Sequence, residues 1–133
     1  MNKYLLDTNI CVFLLRQKYS VADRLLNVGI ENCSISEITV AELLYGAYCS
    51  ANPEQNLKAV NVFCEGFNIL SITNTLALYA KERAGLRRRG IIVEPFDLMI
   101  GCTAVANNLI MVTENIKHFV NIENIVLENW VER

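Results

Sequence analysis

Three carboxylates stand alone in apolar stretches of this sequence. Asp7 is the only charge between Tyr4 and Leu15, Glu42 the only one between Ile38 and Pro53, and Asp97 the only one between Pro95 and Thr113. An ionised carboxylate among residues that favour burial is costly unless something pairs with it. Two of them about 4 Å apart repel by roughly 4 kcal/mol at an effective dielectric of about 20, and one of such a pair tends to take up a proton. A divalent cation removes both costs. Oxygen ligands, few in number, favour a hard ion such as Mg²⁺ or Mn²⁺. Such an ion keeps several waters and takes phosphate oxygens, which equips a site for phosphodiester hydrolysis.

A plainer reading stands beside each residue. Asp7 and Asp97 sit where helices could begin and could cap them. Thr39-x-x-Glu42 and Ser34-x-x-Glu37 have capping-box spacing, although Glu42 falls about a full turn inside its helix. The joint occurrence is harder to explain as three unrelated caps.

The elements that must position these acids alternate. Strands are expected at Lys3–Leu6, Asn32–Ser36, Asn68–Ile72, Leu109–Thr113 and Ile125–Leu127. Helices are expected at Ile10–Leu15, Val21–Val28, Ile38–Cys49, Pro53–Glu65, Thr75–Arg89 and Phe96–Asn107, with Pro53 in a first turn and Gly90 as a stop signal. Apolar strands alternating with helices imply an α/β fold whose parallel sheet is covered on both faces. Ligands in such sheets sit beyond the carboxyl ends of the strands, where Asp7 and Thr113-Glu114-Asn115 fall.

Composition narrows the function. The chain has 133 residues, 53% of them hydrophobic and 20% charged, which suits one compact domain over 1–133 with a real core. No apolar run is long enough for a membrane span, and the start is too short in apolar residues for a signal peptide, so the cytoplasm is the default. Cys11, Cys33, Cys49, Cys64 and Cys102 are odd in number and widely spaced, and read as reduced thiols in a core. A single histidine, His118, leaves no zinc site of the usual kind; it could be catalytic, but carboxylate-and-metal chemistry does not need it, and a surface or partner contact is the simpler role. A net charge of −2 excludes a basic nucleic-acid coat, so any nucleic acid must be handled through a local basic patch and metal ions. Arg83, Arg87, Arg88 and Arg89 form such a cluster; they suit either a solvated helix terminus or phosphate contact. Tyr45, Tyr48, Phe63 and Phe67 recur at helical spacing and read as core or dimer surface.

At these residues the chain resembles the PIN-domain ribonucleases, and within them the VapC toxins of bacterial toxin–antitoxin pairs. The matching stretches are Leu5-Leu6-Asp7-Thr8-Asn9-Ile10-Cys11, Ile38-Thr39-Val40-Ala41-Glu42-Leu43-Leu44-Tyr45-Gly46-Ala47, Pro95-Phe96-Asp97-Leu98-Met99-Ile100-Gly101, Val112-Thr113-Glu114-Asn115 with Phe119, and Leu127-Glu128-Asn129-Trp130. They cover essentially the whole chain in order. The resemblance implies a PIN-like three-layer α/β/α fold with a mostly parallel central sheet. It implies Mg²⁺-dependent endonucleolytic cleavage of RNA, a tRNA among the candidate targets, with Mn²⁺ as an alternative ion. A homodimer and neutralisation by a cognate VapB-type antitoxin are implied as well. Asp7 and Asp97 then become the metal ligands, and Glu42 supports the metal or its water. The fourth acidic position of some PIN domains falls at Asn115, which adds no charge. Glu114 and Glu94 are neighbours that could compensate, with Glu114 expected to point to solvent and Glu94 lacking a role. Thr8, Asn9 and Thr113 would orient the ligands. The competing reading is a PIN-like protein-binding module without catalysis, which retention of all three acids disfavours. A phosphoaspartate domain lacks its second acid at the first site, and a flap nuclease needs DNA-binding segments for which this chain is too short.

Overall fold

The computed structural model describes residues 2–133. Its centre is a sheet of five strands, β1 (Tyr4–Leu6), β2 (Cys33–Ser36), β3 (Asn68–Leu70), β4 (Ile110–Val112) and β5 (Leu127–Glu128), in the order β3-β2-β1-β4-β5. Every pairing is parallel, so the sheet expected to be mostly parallel is wholly so. Parallel strands need crossovers, and helices supply them. These are α1 (Thr8–Arg16), α2 (Val21–Val28), α3 (Glu37–Tyr48), α4 (Pro53–Glu65), α5 (Leu76–Arg88), α6 (Pro95–Ala106) and the single turn α7 (Ile116–Phe119).

Alternation along the strands assigns the layers. Tyr4 and Leu6 of β1 face one way with Ile35 and Val112, against Ile10, Val21, Leu43 and Val60 of α1 to α4. Leu5 and Met111 face the other way, against Leu86 of α5, Leu98 and Ile100 of α6, and Phe119 of α7. Both faces of β1 are therefore covered, which is why its sequence is apolar without alternation. Trp130 closes the first core: it is fully buried, meets Tyr4 edge-on at 5.4 Å, and its indole N–H donates to Glu128 at 2.7 Å.

The strand order reverses between β1 and β4. The connections leaving those two carboxyl ends run apart and open a crevice at the switch point. Helix α1 begins at Thr8, two residues before its apolar run, because Asp7 caps it. The suggested capping boxes do not form: Ser36 caps α3, its hydroxyl accepting from the Ile38 N–H at 3.0 Å. The last strand lies at Leu127–Glu128, shifted from Ile125–Leu127, and β3 stops short at Leu70. Helix α5 ends at Arg88, with Gly90 at φ +72°, a conformation that glycine adopts freely. All five cysteines are free, but only four lie in the core; Cys49 is exposed at the end of α3, on the side of its last turn away from buried Ala47. Tyr45 and Tyr48, expected as core or dimer surface, are likewise exposed rather than core. Among the described residues no helix is long and apolar enough to cross a membrane.

Candidate active site

Asp7 follows β1 directly and is only 4% exposed. One of its oxygens accepts the Thr8 backbone N–H at 2.8 Å, and the other accepts the Thr113 hydroxyl at 2.8 Å. The direction of that second bond is fixed. Thr113 Oγ1 already accepts from the Asn115 backbone N–H at 3.0 Å and from the Asn9 side-chain amide at 3.5 Å, so its single proton is free to face Asp7. Asn9 Oδ1 is buried without a hydrogen-bond partner. Burial pushes the Asp7 carboxyl up to about 6; the two donors oppose this, and the charges of Asp97 and Glu42 add to it.

Glu42 lies in the second turn of α3 and faces the same place. Its Oε1 accepts the Thr8 hydroxyl at 2.6 Å, and the Thr8 and Thr39 hydroxyls are 3.1 Å apart. Because the Thr8 proton goes to Glu42, the fully buried Thr39 hydroxyl must donate to Thr8. Thr8 thus holds Asp7 with its backbone and Glu42 with its side chain. Burial raises the Glu42 carboxyl, the Thr8 bond lowers it, and Asp97 and Glu94 raise it further. A hollow of about 300 Å³ opens beside it, with Thr8, Arg16, Glu42 and Asn56 in its walls.

Asp97 occupies the first turn of α6 without capping it. The cap is Glu94, whose Oε2 accepts the Asp97 backbone N–H at 3.0 Å. That accounts for Glu94 and leaves the Asp97 carboxylate free. Burial raises Asp97, the Glu94 charge adds to this, and His118 lowers it. His118 Nδ1 stands 3.4 Å from Asp97 Oδ2.

The structure therefore brings Asp7 within the field of Glu42 and Asp97, and Glu42 within that of Asp97, each added charge raising the proton affinity of the acid it reaches. Asn115 borders them as an exposed residue tied to Thr113 through its backbone. Glu114 does not point free into solvent: it is held by Arg133 through two bonds of 2.9 and 2.8 Å. The sequence favours a surface or partner contact for His118 over a catalytic role; the structure puts it beside Asp97, three residues beyond Asn115.

A divalent ion can be tested against this donor set. Among the described residues no group of three or more His, Cys, Asp and Glu side chains is placed to hold a metal ion, so protein ligands to an ion here would number at most two. No Lys or Arg pairs with the three acids either. The set is carboxylate oxygen, partly buried and mutually repelling. It suits a hard ion that retains waters, and not a tetrahedral zinc centre.

Comparison with known proteins agrees with this arrangement. The PIN domain family model matches residues 4–124. The tRNA(fMet)-specific endonuclease VapC of Salmonella typhimurium is 37% identical over 131 residues, which span 98% of this chain and 99% of that protein. Ribonuclease VapC2 of Rickettsia felis is 37% identical over 96% of this chain and 97% of its own length. Among solved structures, a chain of the DNA-bound VapBC complex from Salmonella typhimurium superposes with a TM-score of 0.90 at 36% identity, covering 98% of this chain and 99% of that one. A chain of Rickettsia felis VapBC2 bound to promoter DNA gives 0.88 at 36% identity, covering 96% and 98%. Family model, full-length identity and superposition converge: this chain belongs to the PIN-domain family, among the VapC ribonucleases.

Proposed function

We propose that this chain is a metal-dependent endoribonuclease toxin that cuts RNA at Asp7, Glu42 and Asp97. The observation that carries the reading is three partly buried acids from distant segments, all with proton affinities raised by burial, with the charges of Glu42 and Asp97 reaching Asp7. The relatives named as a tRNA(fMet)-specific endonuclease and a ribonuclease support RNA as substrate, a tRNA foremost. The VapBC complexes support a cognate VapB-type antitoxin as the neutralising partner. The working form is a homodimer in the cytoplasm.

In this reading Asp7 and Asp97 would hold Mg²⁺, with Mn²⁺ as a substitute. The bound ion would supply charge compensation at the phosphate and acidify a water. Thr113 and the Thr8 N–H keep both oxygens of Asp7 in fixed directions. Glu42, oriented by the Thr39-to-Thr8 relay, takes the proton of the attacking water. Attack in line with the leaving oxygen yields 5′-phosphate and 3′-hydroxyl ends. Asn115 borders the phosphate as a neutral hydrogen-bonding group.

The test is sequencing of RNA ends after exposure of cellular RNA to purified protein, with Mg²⁺ titrated from zero. Discrete new ends that grow with Mg²⁺ and vanish in Asp7→Asn are expected. RNA loss at the wild-type rate in Asp7→Asn removes these acids from the chemistry. Absence of any metal-dependent cleavage by the wild type leaves a protein-binding module.

A further inference from the structure

A second hollow lies outside the acid crevice. It is a groove of about 980 Å³ between the end of α5 and the start of α6. Arg83, Arg87 and Arg88 line it together with Tyr79, Ile92 and Pro95, and no acidic side chain contributes to its walls. None of these arginines has a carboxylate within salt-bridge distance among the described residues. Three uncompensated cations along one groove are notable in a chain of net charge −2. Ile92 is 96% exposed, an aliphatic side chain presented to solvent in the segment between two helices. Arg83 is held in place, donating to the Tyr79 hydroxyl at 2.8 Å with its guanidinium 6.0 Å from that ring.

We propose that this groove is an RNA-binding subsite: it seats single-stranded RNA running to the acid crevice, with phosphates on Arg83, Arg87 and Arg88 and a base against Tyr79, Ile92 and Pro95. Three features favour RNA over another protein. The wall charges are all positive, which matches a phosphate chain. Apolar and aromatic surface interleaved with cations is the pattern that stacks bases without reading their sequence. The groove also shares the first turn of α6 with the acids, since Pro95 lines it and Asp97 lies two residues on. A strand bound there delivers its next phosphodiester toward Asp97. The proposal rests on RNA being the substrate and gives the strand a hold on the protein's own cations beside the acid site.

The experiment measures binding apart from chemistry. A fluorescent single-stranded RNA oligonucleotide is titrated with the full chain in EDTA, so that nothing is cut, at several salt concentrations. The triple variant Arg83→Gln, Arg87→Gln, Arg88→Gln is expected to bind at least tenfold more weakly. Its slope of log affinity against log salt is expected to fall by about 2, as for three lost phosphate contacts on a single strand. Ile92→Asp, at a side chain that packs on little, is expected to weaken binding without altering the fold. Unchanged affinity and slope in both variants overturn the proposal. So does a change in self-association, or in capture of the antitoxin, with RNA affinity intact, because the groove is then a protein interface. RNA bound through the groove but never cut in Mg²⁺ defeats the nuclease reading alone. RNA cut by the wild type but bound equally well by the variants defeats this proposal alone.

Discussion

Thr8 serves two acids at once, its backbone N–H on Asp7 and its hydroxyl on Glu42. Removing the hydroxyl as Thr8→Val leaves both carboxylates present but releases Glu42. The loss of such a supporting bond is expected to lower kcat by roughly 10-fold, within the range seen when outer partners of a metal site are removed, with little change in KM. The Thr8 bond also holds the Glu42 proton affinity down, so its loss moves the acidic limb of the kcat–pH profile to higher pH. Asp7 carries a different signature. Its carboxyl rises from 3.8 to about 6 on folding, so the native state binds that proton more tightly than the unfolded chain. In metal-free protein the group is neutral toward stability below pH 4. It becomes a penalty as pH rises toward 6 and above, of about 3 kcal/mol at most. Asp7→Asn should therefore raise stability in EDTA at pH 7.5 and not at pH 4, as read by urea unfolding. Mg²⁺ should raise the Tm of the wild type and leave that of the variant unmoved.

Helix α6 shows how an element frees a functional group. Because Glu94 caps it, Asp97 keeps its carboxylate for the crevice. Glu94→Ala should cost about 1 kcal/mol of stability, the usual loss for a missing cap. The same change removes a negative charge that raises both Asp97 and Glu42, so the acidic limb of activity should move to lower pH. Loss of stability without that movement means the carboxylates do not feel Glu94. The sequence made α3 and α6 readable because each is a long apolar run, and α4 because Pro53 marks its first turn and Leu57, Val60 and Cys64 recur at helical spacing. It also exposed Asp7, Glu42 and Asp97, because charge is conspicuous where everything nearby is apolar. Helix α7 was hidden: four residues carry no period, and so the approach of His118 to Asp97 was hidden with it. The part played by Glu94 was equally out of reach, since glutamate is not a customary cap and only the fold turns it back on its helix. Glu114 escaped for another reason: its partner Arg133 lies 19 residues away, and no local pattern links them.

For the whole molecule, the sheet order decides where chemistry takes place. Strand β1 at the centre delivers Asp7 to the one point where neighbouring connections part, and β4 delivers Thr113 beside it. The far end of the chain holds this arrangement closed, through Trp130 packed on Tyr4 of the same central strand. Trp130→Ala is expected to cost about 3–5 kcal/mol, because a large fully buried ring leaves a cavity that its neighbours fill only in part. Equilibrium denaturation measures this, and a loss below 1 kcal/mol means the ring is not a fixed part of the core. The uneven burial of the thiols has a practical consequence. Cys11, Cys33, Cys64 and Cys102 are enclosed, and enclosure raises all four, so they stay protonated and unreactive near neutrality. Cys49 alone meets solvent, two helical turns along α3 from Glu42. A maleimide dye applied to the unaltered protein should attach at that one position, giving a native reporter of whatever enters the crevice.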